Sequence, residues 1–219
     1  MNAAPSSLLP NSISAQVYES LKAAIMEGRL VPGSRLLVLD IANTFQISQA
    51  PVREALERLK QEGLILGKPN KGSVVSEITA KEIVDIVAVR EMMEGFAVKH
   101  SLPYLEENHF QELGRIVQCM EDAIRHKNKL RLVELDHDFH GCFYELCGNH
   151  VVQQMWEQMK MKVMRFIAVS NYRFSTERLA QAHYHLIDVL RSGDPSLAEA
   201  QFVDHLQAYK TIHTLIAPD

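Results

Sequence analysis

The chain has 219 residues, 47% hydrophobic and 23% charged, with a net charge of −4 at neutral pH. That length suits one large core or two modest ones without disulfide or metal staples. There is no apolar run of membrane-spanning length and no basic start followed by an apolar stretch, so a soluble, cytoplasmic protein with no membrane partner is expected.

The acidic balance argues against a uniformly basic nucleic-acid binder, but the charge is unevenly distributed. Residues 1–78 hold 8 Lys and Arg against 7 Asp and Glu, and the remainder holds 15 against 20. The first part is therefore mildly basic and the second acidic. Cys119, Cys142 and Cys147 form an odd, unpatterned set, as ordinary thiols of a reducing compartment do. All ten histidines fall at or after His100, which assigns different chemistry to the two parts.

Residues 1–13 are rich in Ser, Pro, Asn and Ala without periodicity and read as a disordered arm. Ser14 is expected to open a helix with Val17, Leu21, Ala24 and Ile25 on one side, closed by Gly28. RLVPGSRL reads as a turn built on Pro32 and Gly33. LDIANTFQIS offers a short apolar helix (Leu39, Ile41, Ala42, Phe45) and then a tight turn.

From Ser48 to Gly63 the pattern is one helix, with Ser48 as N-cap and Pro51 in the first turn, where its missing N–H has no intrahelical partner to lose. Val52, Leu56 and Leu59 form an apolar stripe, while Gln49, Arg53, Glu57 and Lys60 lie elsewhere on the cylinder. Two short helices joined so tightly predict a helix-turn-helix, whose second helix enters the DNA major groove by its N-terminal end. Two short strands follow, Leu64–Leu66 and Ser73–Val75. Pro69, Asn70 and Gly72 supply the turn between them, flanked by Lys68 and Lys71. A basic hairpin in that place is a wing aimed at the phosphate backbone or minor groove, so residues 14–77 are expected to form a winged helix.

VYESLKAAIMEGRLVPGSRL, SQAPVREALERLKQEGLI and PNKGSVV, in this order, resemble the DNA-binding domain of the GntR family of bacterial transcription regulators over about residues 15–76. The resemblance implies a double-stranded DNA operator as partner and Arg35, Ser48, Gln49, Ala50, Arg53, Lys68, Lys71 and Gly72 as its contacts. Where many members carry a Ser-Arg-Thr-Pro-Val-Arg-Glu run, this chain has Gln49 and Ala50 in place of the first Arg and the Thr. Arg53 is then the better candidate for a bidentate contact to guanine, with Gln49 for adenine or a phosphate; a salt bridge from Arg53 to a neighbour such as Glu57, and a merely solvated turn around Lys68 and Lys71, are the plainer readings.

Thr79-Ala-Lys-Glu82 is a capping box, which puts the domain boundary near residues 76–79. From there the pattern is helical over about 79–101, 106–127, 129–147, 150–171, 175–192 and 195–216, with Ser196-Leu-Ala-Glu199 read as the last capping box. The fold class is thus mainly α, a winged helix followed by an all-α bundle over 78–219.

On the helical wheel Asp136 and His140 lie about 40° apart, flanking a stripe of Leu132, Phe139 and Phe143, with His137 and Asp138 turned away. His183 lies with Leu179, Leu186, Ile187 and Leu190, opposite to His185. His205 lies with Ala198, Phe202, Tyr209 and Ile212. Three imidazoles and one carboxylate on inner faces suit Zn(II), Ni(II) or another borderline divalent metal, with a position left open for an oxygen ligand. Taken singly, such residues are more often hydrogen-bonded, half-buried polar groups.

DHDFHGCFYELCGN, AHYHLIDVLRSGD and AEAQFVDHL are similar to the FCD effector domain of one GntR branch, and the six-helix length resembles its VanR-type subdivision. The resemblance implies that Asp136, His140, His183 and His205 bind a divalent metal, which anchors a small organic acid (carboxylate) effector in a homodimeric regulator, more often a repressor than an activator. A metal-sensing or purely structural site is the alternative. No Glu stands in a His-Glu-x-x-His arrangement, so a metalloenzyme is remote.

Arg90 and Glu94 fall on a face with Ile83, Ile86, Val87 and Ala97 that should be buried. Either they pair with each other, or Arg90 reaches the cavity and binds the effector. Met155, Met159, Met161 and Met164 with Trp156 read as core and dimer-facing packing. Tyr172, Arg173 and Arg178 line a pocket mouth or a solvated junction.

Overall fold

The computed structural model describes residues 12–68, 72–77, 79–173 and 178–210, with the backbone alone at residues 80, 165–173 and 208–210. The chain divides into two units, Met1–Glu77 and Ile78–Asp219.

In the first unit, α1 (Ile13–Met26) begins earlier than the sequence pattern implies, because the Ser12 hydroxyl accepts from Ala15 N at 3.2 Å and so caps the helix. Most of the expected arm lies outside the described residues. Val17, Leu21, Ala24 and Ile25 are buried as the periodicity requires, and Tyr18 joins them. Its hydroxyl donates to the Glu62 carboxylate at 2.8 Å while Arg58 stacks on its ring, tying α1 to the end of the helix Gln49–Gln61.

The segment read as a turn contains a two-residue strand, β1 (Arg35–Leu36), which precedes α2 (Val38–Phe45) and α3 (Gln49–Gln61). In α2 only Ile41 and Ala42 are buried; Leu39 and Phe45 are 56% and 37% exposed. An eight-residue helix has room on one face for little more than two core residues, so the other apolar positions remain at the surface of the unit. The turn to α3 is made by Gln46 in the left-handed region, φ 54°.

Ser48 takes the N-cap position of α3 by backbone geometry alone, its side chain making no capping hydrogen bond. Val52, Ala55, Leu56 and Leu59 are buried, each large side chain contributing about 1.5–3 kcal/mol. The wing strands β2 (Ile65–Lys68) and β3 (Gly72–Val75) pair antiparallel, Ile65 opposite Val75 and Lys68 opposite Gly72. β1 adds to the other side of β3, giving the order β1-β3-β2.

The second unit is helical among the described residues. Its helices are α4 (Ala80–Ser101), α5 (Glu107–Arg125), α6 (Lys129–Leu146), α7 (His150–Arg173), α8 (Leu179–Arg191) and α9 (Pro195–Lys210). The capping box at Thr79 and Glu82 forms as read, with both reciprocal hydrogen bonds. The one read at Ser196 does not. Asp194 instead accepts from Ser196 N at 2.9 Å and Leu197 N at 3.1 Å, with Pro195 at the first helical position. Glu199 is thereby left to pair with Lys99 at 2.7 Å.

α4 packs along α9, and Gly95 permits the close approach: a Cβ there would lie 3.3 Å from both Glu199 Cγ and Val203 Cγ2. α6 is surrounded by α4, α5 and α7. That position buries Phe139 and Phe143 completely, and His137 with them.

Candidate metal centre and DNA-binding face

Asp136 and His140 come from α6, His183 from α8 and His205 from α9, and one ligand-type atom of each lies within 4.8 Å of the others. Asp136, His140 and His183 are fully buried and His205 partly so. The three imidazole rings are 4.8 to 5.5 Å apart, centroid to centroid. Phe139 packs edge-on against His140 and His183, Phe202 packs edge-on against His140, and the two phenyl rings are stacked.

Hydrogen bonding fixes which nitrogen faces inward. His183 Nδ1 lies 2.8 Å from the carbonyl of Leu179, one turn back on its own helix, and His140 Nδ1 meets Glu94 Oε1. Carbonyl and carboxylate oxygens only accept, so both Nδ1 atoms carry hydrogen and, in the neutral rings, both Nε2 atoms present a lone pair. These Nε2 atoms and both Asp136 oxygens are buried with no hydrogen-bond partner among the described residues. His183 Nε2 and Asp136 Oδ1 are 3.3 Å apart, in reach of an ion pair but not aligned as a hydrogen bond. Two neutral nitrogens and a carboxylate, buried and converging, fit a divalent cation of borderline softness.

Burial opposes ionisation of Asp136, and the positive charge of Arg90 favours it. His140 is pushed down by burial, partly offset by Glu94; His205 is pushed well down by burial and then by the neighbouring His183 and His140. These imidazoles are held neutral, as ligands must be.

Arg90 and Glu94 are 1% and 0% exposed, and Arg90 Nε donates to Glu94 Oε2 at 3.1 Å. The pairing read from the sequence is present, but Glu94 does more than that reading gave it. It also accepts from Tyr144 OH at 3.0 Å and meets His140. Tyr144 and the Glu94–His140 contact escaped the sequence reading. The one available signal was that a carboxylate on a buried helix face needs several donors.

His137 does point away from the cluster, but not into water: it stacks on Trp156 at 4.6 Å and 4°, and burial, with Lys160 and Arg90, pushes it down to about 3. Asp138 and His185 are exposed. Of the methionines, Met164 is buried and Met155 is 42% exposed. The side chains of Tyr172 and Arg173 lie outside the described residues, and Arg178 is exposed ahead of α8.

In the first unit Arg35, Ser48, Gln49, Ala50, Arg53, Lys68 and Gly72 are all exposed, and Lys71 lies outside the described residues. Arg53 Nη2 donates to Gln49 Oε1 at 2.9 Å, whereas Glu57 lies 3.5 Å from Lys60. With its oxygen so engaged, Gln49 turns its amide donors outward, which suits an acceptor better than the two-point contact to adenine. Gly72 has φ +72°, a left-handed conformation that favours glycine at the start of β3; a Cβ there would make only an ordinary 3.5 Å contact with Leu37.

The description "Bacterial regulatory proteins, gntR family" matches residues 13–75, and "FCD domain" matches residues 85–208, more than half of the chain. The chain belongs to the GntR family, in its FCD-domain branch. The GntR relatives it resembles include the probable D-xylose utilization operon transcriptional repressor of Paenarthrobacter nicotinovorans. That protein is 26% identical over 209 residues, 95% of this chain and 92% of the relative. The HTH-type transcriptional repressor RspR of Escherichia coli is 26% identical over 196 residues, 89% of this chain and 86% of the relative. The solved structure of E. coli McbR/YncC shares the GntR fold, with TM-score 0.73 and 22% identity over 94% of this chain and 99% of that one. The matched families and neighbours are transcription regulators, not enzymes. No helix among the described residues is long and apolar enough to cross a membrane.

Proposed function

We propose that the protein is a homodimeric, ligand-responsive repressor of the VanR-type subdivision, the last on its six described effector-domain helices. It binds a palindromic operator through α3 and the wing, with Arg53 as the main base reader, and a small organic acid modulates that binding. A divalent metal, zinc or nickel, held by Asp136, His140, His183 and His205, supplies the Lewis-acid anchor for the acid. The observation that carries this reading is the convergence of buried, hydrogen-bond-deficient acceptor atoms at one point among the described residues.

His205, on α9, is the least buried member of the set, which supports entry of an acid from its side. Arg90 is assigned to the acid's second oxygen. It lies on α4, which also carries Glu94 and begins directly after the wing, so an acid that favours one placement of α4 biases the DNA-binding unit. The acid must bind the two placements with different affinity for this to work.

The test is operator release. An operator selected from a random duplex library is bound by zinc-loaded and by chelator-stripped protein, and a panel of small carboxylic acids is titrated into each. Release from the loaded protein only is expected; an equal response from stripped protein overturns the metal-anchor mechanism. A second reading, a structural or metal-sensing site, is favoured by the complete burial of Asp136, His140 and His183. It predicts that zinc alone changes operator affinity, or stability, and that no acid does.

A further inference from the structure

We propose that Glu94 is the positioning residue of the metal centre: from α4 it holds His140 of α6 in the tautomer and orientation that present Nε2 to the ion. This rests on the metal reading above.

The two inward-facing imidazoles are held in different ways. His183 is fixed by a main-chain carbonyl of its own helix, at 2.8 Å from Leu179 O, which requires no dedicated side chain. His140 has its Nδ1 against a carboxylate that belongs to another helix and is fully buried. An ionised carboxylate in such a place is costly unless donors surround it. Glu94 has them: Arg90 Nε at 3.1 Å and Tyr144 OH at 3.0 Å on one oxygen, and His140 on the other.

If charge neutralisation were the whole purpose, an apolar pair in place of Arg90 and Glu94 would serve stability as well or better. What an apolar pair cannot do is accept a hydrogen from His140. With Glu94 present, Nδ1 is the protonated nitrogen and Nε2 the free one, in a ring whose plane is set by Phe139 edge-on and by the carboxylate behind it. A negative charge behind an imidazole also makes its other nitrogen a stronger donor to a metal. Arg90 and Tyr144 act one step further out, keeping the carboxylate ionised and aimed.

The experiment uses the full chain and zinc(II) alone as probe, with affinity read by competition against a chromophoric chelator. Glu94→Gln preserves shape and one acceptor oxygen but removes the charge, and zinc binding is expected to weaken about 10- to 100-fold. His140→Ala provides the reference for loss of a ligand. Wild type and Glu94→Gln binding zinc equally, with His140→Ala impaired, overturns the role of Glu94 and leaves the metal reading intact. Absence of zinc binding by the wild type overturns both.

Long-range proton–nitrogen NMR of the histidine rings in metal-free wild type gives a second measurement that does not depend on the variant folding. The Nδ1–H tautomer at His140 is expected, and an Nε2–H tautomer there overturns the proposal. In Glu94→Gln, which can donate as well as accept, the His140 signals are expected to shift towards a mixture of tautomers, a change that loss of packing alone would not produce.

Discussion

His183→Ala separates a metal ligand from a core histidine, because its two consequences differ in their dependence on zinc. His183 is fully buried, so truncation costs the metal-free protein about 2–4 kcal/mol in lost packing whatever the ring does. The second consequence appears only with metal. Two Asp136 oxygens and the Nε2 atoms of His140 and His183 are buried without hydrogen-bond partners among the described residues. An ion placed between them would satisfy these atoms together.

With zinc at about 100 times its dissociation constant, the wild type gains about 2.7 kcal/mol of stability. At roughly 2–4 °C per kcal/mol for a chain of this size, Tm rises by about 5–11 °C. A variant whose affinity has fallen about 100-fold gains only about 0.4 kcal/mol at the same zinc concentration, a shift under about 2 °C. The assay is thermal unfolding in chelator and in zinc, comparing increments rather than absolute midpoints so that the packing loss cancels. His185→Ala, exposed and turned to Gln201, should keep the full increment. An undiminished zinc increment in His183→Ala would refute the ligand assignment.

Arg53→Ala should cost about 1–3 kcal/mol on a selected operator and relax one base pair, read by binding to single-position operator variants. Because Gln49 holds the Arg53 guanidinium at 2.9 Å, Gln49→Ala should relax the same base pair; the double variant should depart from additivity by about 0.5–3 kcal/mol, and additive losses at separate base pairs would show two independent readers. Lys68→Ala should weaken all duplexes alike and lower the salt slope by about 1, with a sequence-selective loss counting against a backbone contact. In metal-free protein, His137 (about 3) and His140 titrate below their unfolded value, so between the two values the unfolded chain binds more protons and stability rises with pH. Acidification from pH 7 to 5 should therefore destabilise the protein, by up to roughly 1.4 kcal/mol per pH unit for each such histidine below about pH 6.5. Denaturant melts that coincide at the two pH values would contradict the burial of neutral imidazoles.

Helical periodicity made the candidate ligands legible because it is a local property. Asp136, His140, His183 and His205 each share a wheel face with residues that are buried, and the angle alone assigns them inward. The wheel does not report how many neighbours a helix has. α6 is packed by α4, α5 and α7, so His137, on the side away from the cluster, meets Trp156 rather than water. In α2 the same pattern overcounts, since Leu39 and Phe45 belong to the periodicity but not to the core of a short helix. β1 was hidden for a related reason: a two-residue strand has no period of its own, and Arg35–Leu36 exists only because Val74 and Ser73 lie opposite.

The contact between Glu94 and His140 belongs to this class of non-local information, and it changes what the buried ion pair on α4 is for. Arg90 and Glu94 are four residues apart and would pair on any helix. It is the arrival of His140 and Tyr144 from α6 that turns a local pair into a support for the cluster. Removing Glu94 therefore has two effects of distinct origin, loss of the buried Arg90–Glu94 ion pair and a released His140 ring. Replacing both members, as in Arg90→Met with Glu94→Gln, relieves the first without restoring the second. Zinc affinity should remain as weak in that double variant as in Glu94→Gln even where metal-free stability recovers. If affinity recovers along with stability, the carboxylate acts on the metal only by holding the fold together.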